Sequence, residues 1–352
     1  MAKFYKLSIK KIQKETSNAV LISLNIPEHL KDVFKFKAGQ YLTFKIRLNG
    51  KEIRRDYSIC TAPNDPDLSV AIKSVENGVF SLYANTKLKT GDIIEVAAPN
   101  GRFIFEPNLS ASRTIVGFAA GSGITPILSI VKTILTKELQ SSFILIYGNK
   151  SPYQTMFYDE LLKLKQNHAE RFQLQLVFSQ SKEDNALFGR IENSIVNYTI
   201  KNMFNSLSPD TFYICGPEPM IHNVQDTLIK YGVPESNILF ELFTTTLNNP
   251  QNINAGLVNN YTKATVMVDD EITEFEMPQT KSILEVALAK NIDAPYSCQG
   301  GVCSSCLARL TKGKVTMKQN NILTDSELEE GLILTCQAYP LTPNIYVDYD
   351  DV

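Results

Sequence analysis

Four cysteines near the C-terminus constrain this chain more than any other feature: Cys298, Cys303, Cys306 and Cys336 read C-x4-C-x2-C, then a long gap to a fourth Cys. That is the spacing of a plant-type site for a [2Fe–2S] cluster. Two irons and two sulfides need four thiolates facing one small volume. A tight loop, Pro295-Tyr296-Ser297-Cys298-Gln299-Gly300-Gly301-Val302-Cys303-Ser304-Ser305-Cys306, must therefore wrap three of them, and the apolar run Leu332-Ile333-Leu334-Thr335-Cys336 must deliver the fourth. Small residues in the loop let backbone N–H groups turn toward the sulfurs, which helps set the reduction potential. The competing reading is a structural zinc site, which usually shows paired C-x2-C motifs or added histidines. No histidine lies beyond His222. A group that carries one electron at a time implies a source and a destination, and the rest of the chain should supply one of them.

The chain is long enough for two or three domains of roughly 100–200 residues each. Its hydrophobic content of 43% and charged content of 20% are those of an ordinary globular protein. The net charge of −2 hides a split: residues 261–352 carry seven Lys/Arg against fourteen Asp/Glu, a net of −7, which leaves residues 1–260 at +5. An acidic end tethered to a mildly basic body favours docking between the two, or docking of the acidic end on a basic partner. Nothing in this pattern points to nucleic acid. Cys60 and Cys215, the two remaining cysteines, lie far apart in separate motifs, so no disulfide framework is expected. The N-terminus alternates like a strand and has no signal-peptide core. The most apolar stretch, Ile115 to Leu135, is broken by Gly117, Gly121, Gly123, Pro126 and Lys132, so no membrane span is expected. A reducing cytoplasm is the expected location.

Residues 1 to about 108 read as strands throughout. Runs such as Tyr5–Ile9, Ala19–Leu24, Tyr41–Ile46 and Leu68–Lys73 alternate with period two between Gly, Pro, Asn and Asp breaks, as in a small antiparallel barrel. From about 112, strands (Thr114–Phe118, Phe143–Tyr147, Leu174–Phe178, Phe212–Cys215) alternate with helical patterns, which predicts a parallel sheet with right-handed crossovers. Residues 244–260 hold no charge and six asparagines and read as a flexible linker, with an r.m.s. span of roughly 20–25 Å. After it come a strand at Ala264–Val268, a helix at Ile283–Lys290 and the cysteine loop. The expected organisation is an antiparallel β-barrel over 1–110, an α/β parallel-sheet domain over 111–243, the linker 244–260 and an α+β β-grasp domain over 261–352.

Several motifs suit redox cofactors, each weak when taken alone. In Arg55-Asp56-Tyr57-Ser58 the Tyr can stack on a flavin ring, the Ser can hydrogen-bond near its N5 and the Arg can neutralise a pyrophosphate. Lys73 and Gly78-Val79-Phe80-Ser81 can bring backbone N–H groups and a hydroxyl to the same phosphates. The turn Gly117-Phe-Ala-Ala-Gly121-Ser122-Gly123-Ile124-Thr125-Pro126 lets a dinucleotide pyrophosphate approach a helix start, with Pro126 tolerated in the first turn. Cys215-Gly216-Pro217 ends another strand. Cys215 is there either a buried core thiol or a group facing the ligand crevice. His29, His168 and His222 are scattered, and each reads as a surface or helix residue rather than a ligand.

The order of these motifs, closing with Glu241-Leu242-Phe243 and the C-terminal cysteines, resembles the ferredoxin–NADP+ reductase superfamily, oxygenase-reductase type. Within it, Arg54–Cys60, Gly117–Ile130 and Val302–Cys306 are most like the reductase components of phenylacetyl-CoA epoxidase systems. The resemblance implies that Arg55, Tyr57 and Ser58 hold a flavin, FAD in preference to FMN, with Gly78, Val79, Phe80 and Ser81 at its pyrophosphate. It implies that Gly121, Gly123, Thr125, Cys215 and Gly216 hold NAD(P)H, with Cys215 near the hydride-donating carbon. Glu241 and Phe243 would lie near the flavin edge, and Ser58, Cys215 and Glu241 would serve catalysis. Lys150, with Lys182 and Arg190 further on, favours NADPH over NADH slightly. The implied activity moves electrons from NAD(P)H through FAD and the cluster to a terminal oxygenase, a di-iron phenylacetyl-CoA epoxidase first among candidates. The alternatives are another acceptor (a desaturase, a cytochrome P450 or a ring hydroxylase) and a non-catalytic zinc-binding module.

Overall fold

The period-two runs of the first hundred residues pair as strands, and the computed structural model describes residues 3–48, 50–203, 207–243 and 261–352. The expected linker, 244–260, lies outside the described residues. Strands β1 (Phe4–Thr16), β2 (Ala19–Asn25), β3 (Tyr41–Leu48), β4 (Lys51–Ser58), β5 (Leu68–Lys73) and β6 (Ile93–Ala97) form one sheet in the order β4-β3-β6-β1-β2-β5. The two edge strands meet at the Ile59–Val70 bridge, where Cys60 N–H donates to the Ser69 carbonyl (3.0 Å), and this closes the sheet into a barrel. Alternation sends Leu7, Ile9, Ile22, Leu42, Phe44, Val70 and Ile72 into a shared core.

One segment departs from the strand reading. Val79–Thr86 is a helix, α1, that lays Phe80 and Ala84 into the barrel core. Asn77, in a left-handed conformation (φ 59), and Gly78 interrupt the strand pattern ahead of it.

The next region gives β7 (Thr114–Ala120), α2 (Ile124–Lys137), β8 (Ser142–Asn149), α3 (Tyr158–Asn167), β9 (Phe172–Phe178), β10 (Ala186–Phe188), α4 (Asn193–Met203), β11 (Thr211–Gly216), α5 (Glu218–Lys230) and β12 (Ile238–Leu242). The sheet order is β10-β9-β8-β7-β11-β12, and the pairs from β10 to β11 are parallel. The first strand, β7, thus has β8 on one side and β11 on the other. Ligands bind at such a reversal of strand order, beyond the carboxyl ends. Glu138 holds the crossover into this sheet in place, accepting from Arg113 Nη2 (2.6 Å), Ser141 Oγ (2.7 Å) and Asn108 N–H (2.8 Å). Residues Tyr5–Glu241 form one compact unit.

The C-terminal region is a second unit. Its strands are β13 (Tyr261–Val268), β14 (Glu271–Pro278), β15 (Leu307–Lys312), β16 (Val315–Met317), β17 (Leu332–Leu334), β18 (Ala338–Pro340) and β19 (Asn344–Asp348), with helices α6 (Ile283–Ala289) and α7 (Asp325–Glu329). A mixed five-stranded sheet runs β14-β13-β19-β15-β17, with β13 and β19 parallel. Ser282 caps α6 by accepting from Glu285 N–H (3.2 Å), and Ile283, Leu284, Val286 and Ala287 enter the core with Ala264, Val266 and Val347. Among the described residues no helix is long and apolar enough to cross a membrane.

Candidate functional site

The crevice lies where β7 and β11 end. Ala119 and Cys215 are register partners, and the chain leaves β7 through the turn Gly121–Gly123 into α2. A Cβ on Gly123 would sit 2.1 Å from the Cys215 carbonyl oxygen, so the helix start is pressed against β11 as only glycine permits. Gly121 takes φ 56, and Thr125 Oγ1 donates to the Ser122 carbonyl (3.0 Å). No side chain caps α2, so the positive end of a 14-residue helix opens here to an outside acceptor. Met220 packs against Gly216, its Cε 2.6 Å from where a Cβ would be.

Three segments converge in the same compact unit. Ser58, the last residue of β4, donates to Glu241 Oε2 at 3.1 Å across 183 residues of sequence. Burial raises the Glu241 carboxyl to about 8, against the lowering effect of the Ser58 bond and with a further rise from Asp56. Cys215 is fully buried, and burial first and Glu241 second push its thiol well above the usual range. Cys215 is thus a buried thiol and also a neighbour of Glu241, which unites the two readings the sequence left open. Asp56 is held by Thr43 Oγ1 (2.6 Å). Phe243 follows β12 and is half-buried.

On the barrel, Tyr57 packs its ring 5.3 Å from Phe80 and 5.9 Å from Phe44, and burial raises its phenol above the ordinary range. Arg55 is exposed, with Nη1 donating to the Arg54 carbonyl (2.6 Å). Gly78 N-caps α1 without a side-chain bond, and Val79 is exposed beside it. The Ser81 hydroxyl is engaged inside the turn, accepting from Val75 N–H (3.2 Å) and donating to the Gly78 carbonyl (3.3 Å). Lys73 and Lys150 come together: the Lys73 ammonium is lowered by burial and then by the Lys150 charge, and its Nζ lies 3.6 Å from the Cβ position of Gly121. Neither lysine makes an ion pair among the described residues.

In the second unit the cysteine loop is set by β15 and β17. Leu307 and Leu334 are register partners, which places Cys306 just before one strand and Cys336 just after the other. Thr335 N–H (3.1 Å) and Oγ1 (2.9 Å) both donate to the Cys306 carbonyl, and Tyr349 OH donates to Thr335 Oγ1 (2.8 Å). Gln299 (φ 53) and Gly301 (φ 71) turn the loop back, and Gln337 Nε2 holds the Gln299 carbonyl (2.9 Å). Cys298 hydrogen-bonds with Cys303 and Cys336, and Cys306 with Cys336. These bonds, with the N–H groups of Gly300 and Val302, hold the Cys298 thiol below its usual range. Gly300 N–H reaches Cys298 Sγ at 3.3 Å.

Among the described residues no three His, Cys, Asp or Glu side chains close up as tightly as a single metal ion requires. The thiol contacts run as one chain, Cys303–Cys298–Cys336–Cys306, through all four cysteines. Ser297 Oγ, buried beside Cys298, has no partner among the described residues. Four converging thiols with N–H donors toward sulfur fit a [2Fe–2S] cluster.

The family models for an oxidoreductase FAD-binding domain, an oxidoreductase NAD-binding domain and a 2Fe-2S iron-sulfur cluster binding domain match residues 6–105, 118–226 and 266–341. The chain is 37% identical to one of the subunits of 1,2-phenylacetyl-CoA epoxidase from Escherichia coli K12, over 99% of each chain. It belongs to the oxygenase-reductase branch of the ferredoxin–NADP+ reductase superfamily. This reductase is also 29% identical to the ferredoxin reductase component of 3-ketosteroid-9-alpha-monooxygenase from Rhodococcus rhodochrous, over 97% of this chain and 96% of that protein. Its fold resembles phthalate dioxygenase reductase, with a TM-score of 0.62, 25% identity and 98% coverage of both chains.

The reductase is therefore an NAD(P)H oxidoreductase with FAD, NAD and [2Fe–2S] domains, and its crevice suits such groups. The uncapped starts of α1 and α2 and the unpaired Lys73 and Lys150 offer positive charge to phosphates. Asn149 Nδ2, at the carboxyl end of β8, is a buried donor that lies beside the Tyr147 hydroxyl and has no full hydrogen bond among the described residues. Sequence reasoning singled out neither Tyr147 nor Glu15, which are tied to the Gly121 turn and to α3. A hydroxyl on an apolar strand and a Glu in a barrel strand carry no local signal.

Proposed function

We propose that this reductase passes electrons from NAD(P)H, through FAD and the cluster, to the oxygenase component of a phenylacetyl-CoA epoxidase-type system. The 37% identity that extends over 99% of both chains, cluster domain included, supports that acceptor. The chain acts in four stretches: 1–110 for the flavin, 111–243 for the nucleotide, 244–260 as linker and 261–352 for the cluster. Six free cysteines suit a reducing cytoplasm.

The residue roles in this proposal are those the family resemblance implies. Arg55, with Gly78, Val79, Phe80 and Ser81 at the start of α1, holds the flavin phosphates, and Tyr57 and Phe243 flank its ring. Gly121, Gly123, Thr125 and Gly216 cradle the nucleotide, and Lys73 and Lys150 offset its phosphate charge. NADPH is the preferred donor, with Lys182 and Arg190 beyond β9 at the 2′-phosphate. Cys298, Cys303, Cys306 and Cys336 ligate the cluster. When bound, FAD takes two electrons together and releases them singly, which matches the nicotinamide to the cluster.

The observation that carries this reading is the meeting of Ser58, Glu241 and Cys215 at the switch point. With its carboxyl near 8, Glu241 holds a proton at neutral pH beside Ser58 Oγ, 3.1 Å away. That pair can keep and exchange a proton without a charged group in the crevice. Cys215 stays a neutral thiol and shapes the wall.

Anaerobic titration with NADPH and NADH in turn tests the reading. Flavin absorbance should bleach first and cluster absorbance follow, with NADPH the more effective. Reconstitution with a phenylacetyl-CoA epoxidase oxygenase component should then support turnover. A colourless protein would sink the relay, and a reduced protein unable to drive that oxygenase would sink the acceptor.

A further inference from the structure

Tyr147 is the largest fully buried side chain among the described residues. It sits on β8 among Ile144, Leu145 and Ile146, where a phenol is costly unless its hydroxyl is bonded. The hydroxyl lies 2.9 Å from the Gly121 carbonyl and 3.3 Å from the Met156 carbonyl. Burial keeps it neutral, with its pKa raised, so its single proton goes chiefly to the nearer Gly121 oxygen and is shared with the Met156 carbonyl in a three-centre bond.

We infer that Tyr147 is a positioning residue for the pyridine-nucleotide turn, at the centre of a brace that reaches into the flavin barrel; this rests on the crevice reading above. Gly121 is in the left-handed region at φ 56, and the space beside it is open apart from Lys73 Nζ. Gly123 is pressed against β11, and Ile124 N–H already donates to the Gly121 carbonyl. The Tyr147 hydroxyl is the side-chain donor to the same carbonyl and draws its oxygen toward the core. A carbonyl oxygen facing the crevice would repel phosphate, so turning it inward removes a negative partial charge from an anion site.

The far side of the brace is anchored in the other domain. The residue after Met156 is Phe157, a non-glycine residue at φ 59 that N-caps α3. Its N–H donates to Glu15 Oε1 at 2.6 Å, and Glu15 belongs to β1 of the barrel. Lys132 of α2 fixes the same corner, pairing with Glu160 of α3 at 2.5 Å and donating to the Cys60 carbonyl of the barrel at 3.5 Å. The line Glu15–Phe157–Met156–Tyr147–Gly121 therefore ties the nucleotide turn to the barrel that holds the flavin.

Tyr147→Phe keeps the core volume and removes only the hydroxyl. The KM for the pyridine nucleotide in dye reduction should rise about tenfold, as the half-buried Gly121 carbonyl keeps Ile124 N–H but loses its second donor, while kcat, flavin content and cluster absorbance stay at wild-type levels. Glu15→Ala should raise the same KM about threefold. Glu15→Gln keeps an acceptor oxygen for Phe157 N–H and should restore the wild-type value. A wild-type KM in Tyr147→Phe overturns the inference, and so does a KM rise accompanied by loss of flavin or of thermal stability, which marks a purely structural role. Absence of NAD(P)H oxidation in the wild-type protein would overturn the crevice reading instead, so the two failures are distinct.

Discussion

The cluster loop and the flavin–nucleotide crevice both hold several polar groups at one point, but by opposite routes. The loop draws three of its four thiols from Cys298 to Cys306, and a single strand pairing, Leu307 with Leu334, delivers the fourth. The crevice assembles Ser58, Cys215 and Glu241 from three separate strand ends, with 183 residues between the two that hydrogen-bond. A local site depends on backbone turns and small residues. A dispersed site depends on every element that places its parts, so distant packing defects reach it. The loop is thus a replaceable outlet, whereas the crevice is part of the fold.

The sharpest break of that comparison is Cys303→Ser. It should abolish electron delivery to an acceptor that needs the cluster, while NAD(P)H-dependent dye reduction stays near the wild-type rate. Paired steady-state assays check this, and equal loss of both activities would contradict two separable sites. Gly123→Ala comes next, because its Cβ would meet the Cys215 carbonyl oxygen at 2.1 Å. Denaturant titration should show a loss of roughly 1–3 kcal/mol from overpacking, with dye reduction impaired too. Unchanged stability would mean that β11 and α2 are less tightly married than their geometry indicates.

Glu241→Gln tests the buried proton. A carboxyl raised to about 8 binds its proton more tightly in the folded chain than in the unfolded one. That contribution is fully present below the unfolded pKa of 4.5, is lost as pH rises through the folded value of about 8, and is gone above it. Wild-type stability should therefore decline over that window, and the variant should flatten the decline. Unfolding at pH 5, 7 and 9 gives the slopes, and identical slopes would assign the titration elsewhere. The smallest effect belongs to the exposed Lys150. Lys150→Ala should raise the nucleotide KM about twofold to fivefold, less at high salt. A salt-independent change would argue against a screened phosphate contact.

Legibility followed the same division. The cysteine spacing carried its own chemistry because its geometry is local. Barrel and parallel sheet were legible because side-chain alternation in Leu7–Ile9 or Leu42–Phe44 reports which face is buried. Helix α1 was not, because its eight residues combine strand-forming Val79, Phe80 and Tyr83 and become helical by packing Phe80 into the barrel. The nearness of Lys150 to Lys73, 77 positions earlier, was not legible, because no local pattern links the ends of β5 and β8. Tyr147 and Glu15 carried no signal, since their roles reside in partners distant in sequence.

By itself the sequence determined the order of the FAD, NAD and [2Fe–2S] domains, the cysteine spacing and the glycines of the turn after β7. Each follows from short-range rules: thiol spacing, period-two burial, and backbone conformations that only small residues adopt. Only the tertiary structure decided that burial raises the Glu241 carboxyl beside Ser58, that Lys73 and Lys150 lie close together, and that the buried Tyr147 hydroxyl meets the Gly121 carbonyl. Those properties come from desolvation and from contacts between strand ends, and neither exists until the chain has closed on itself.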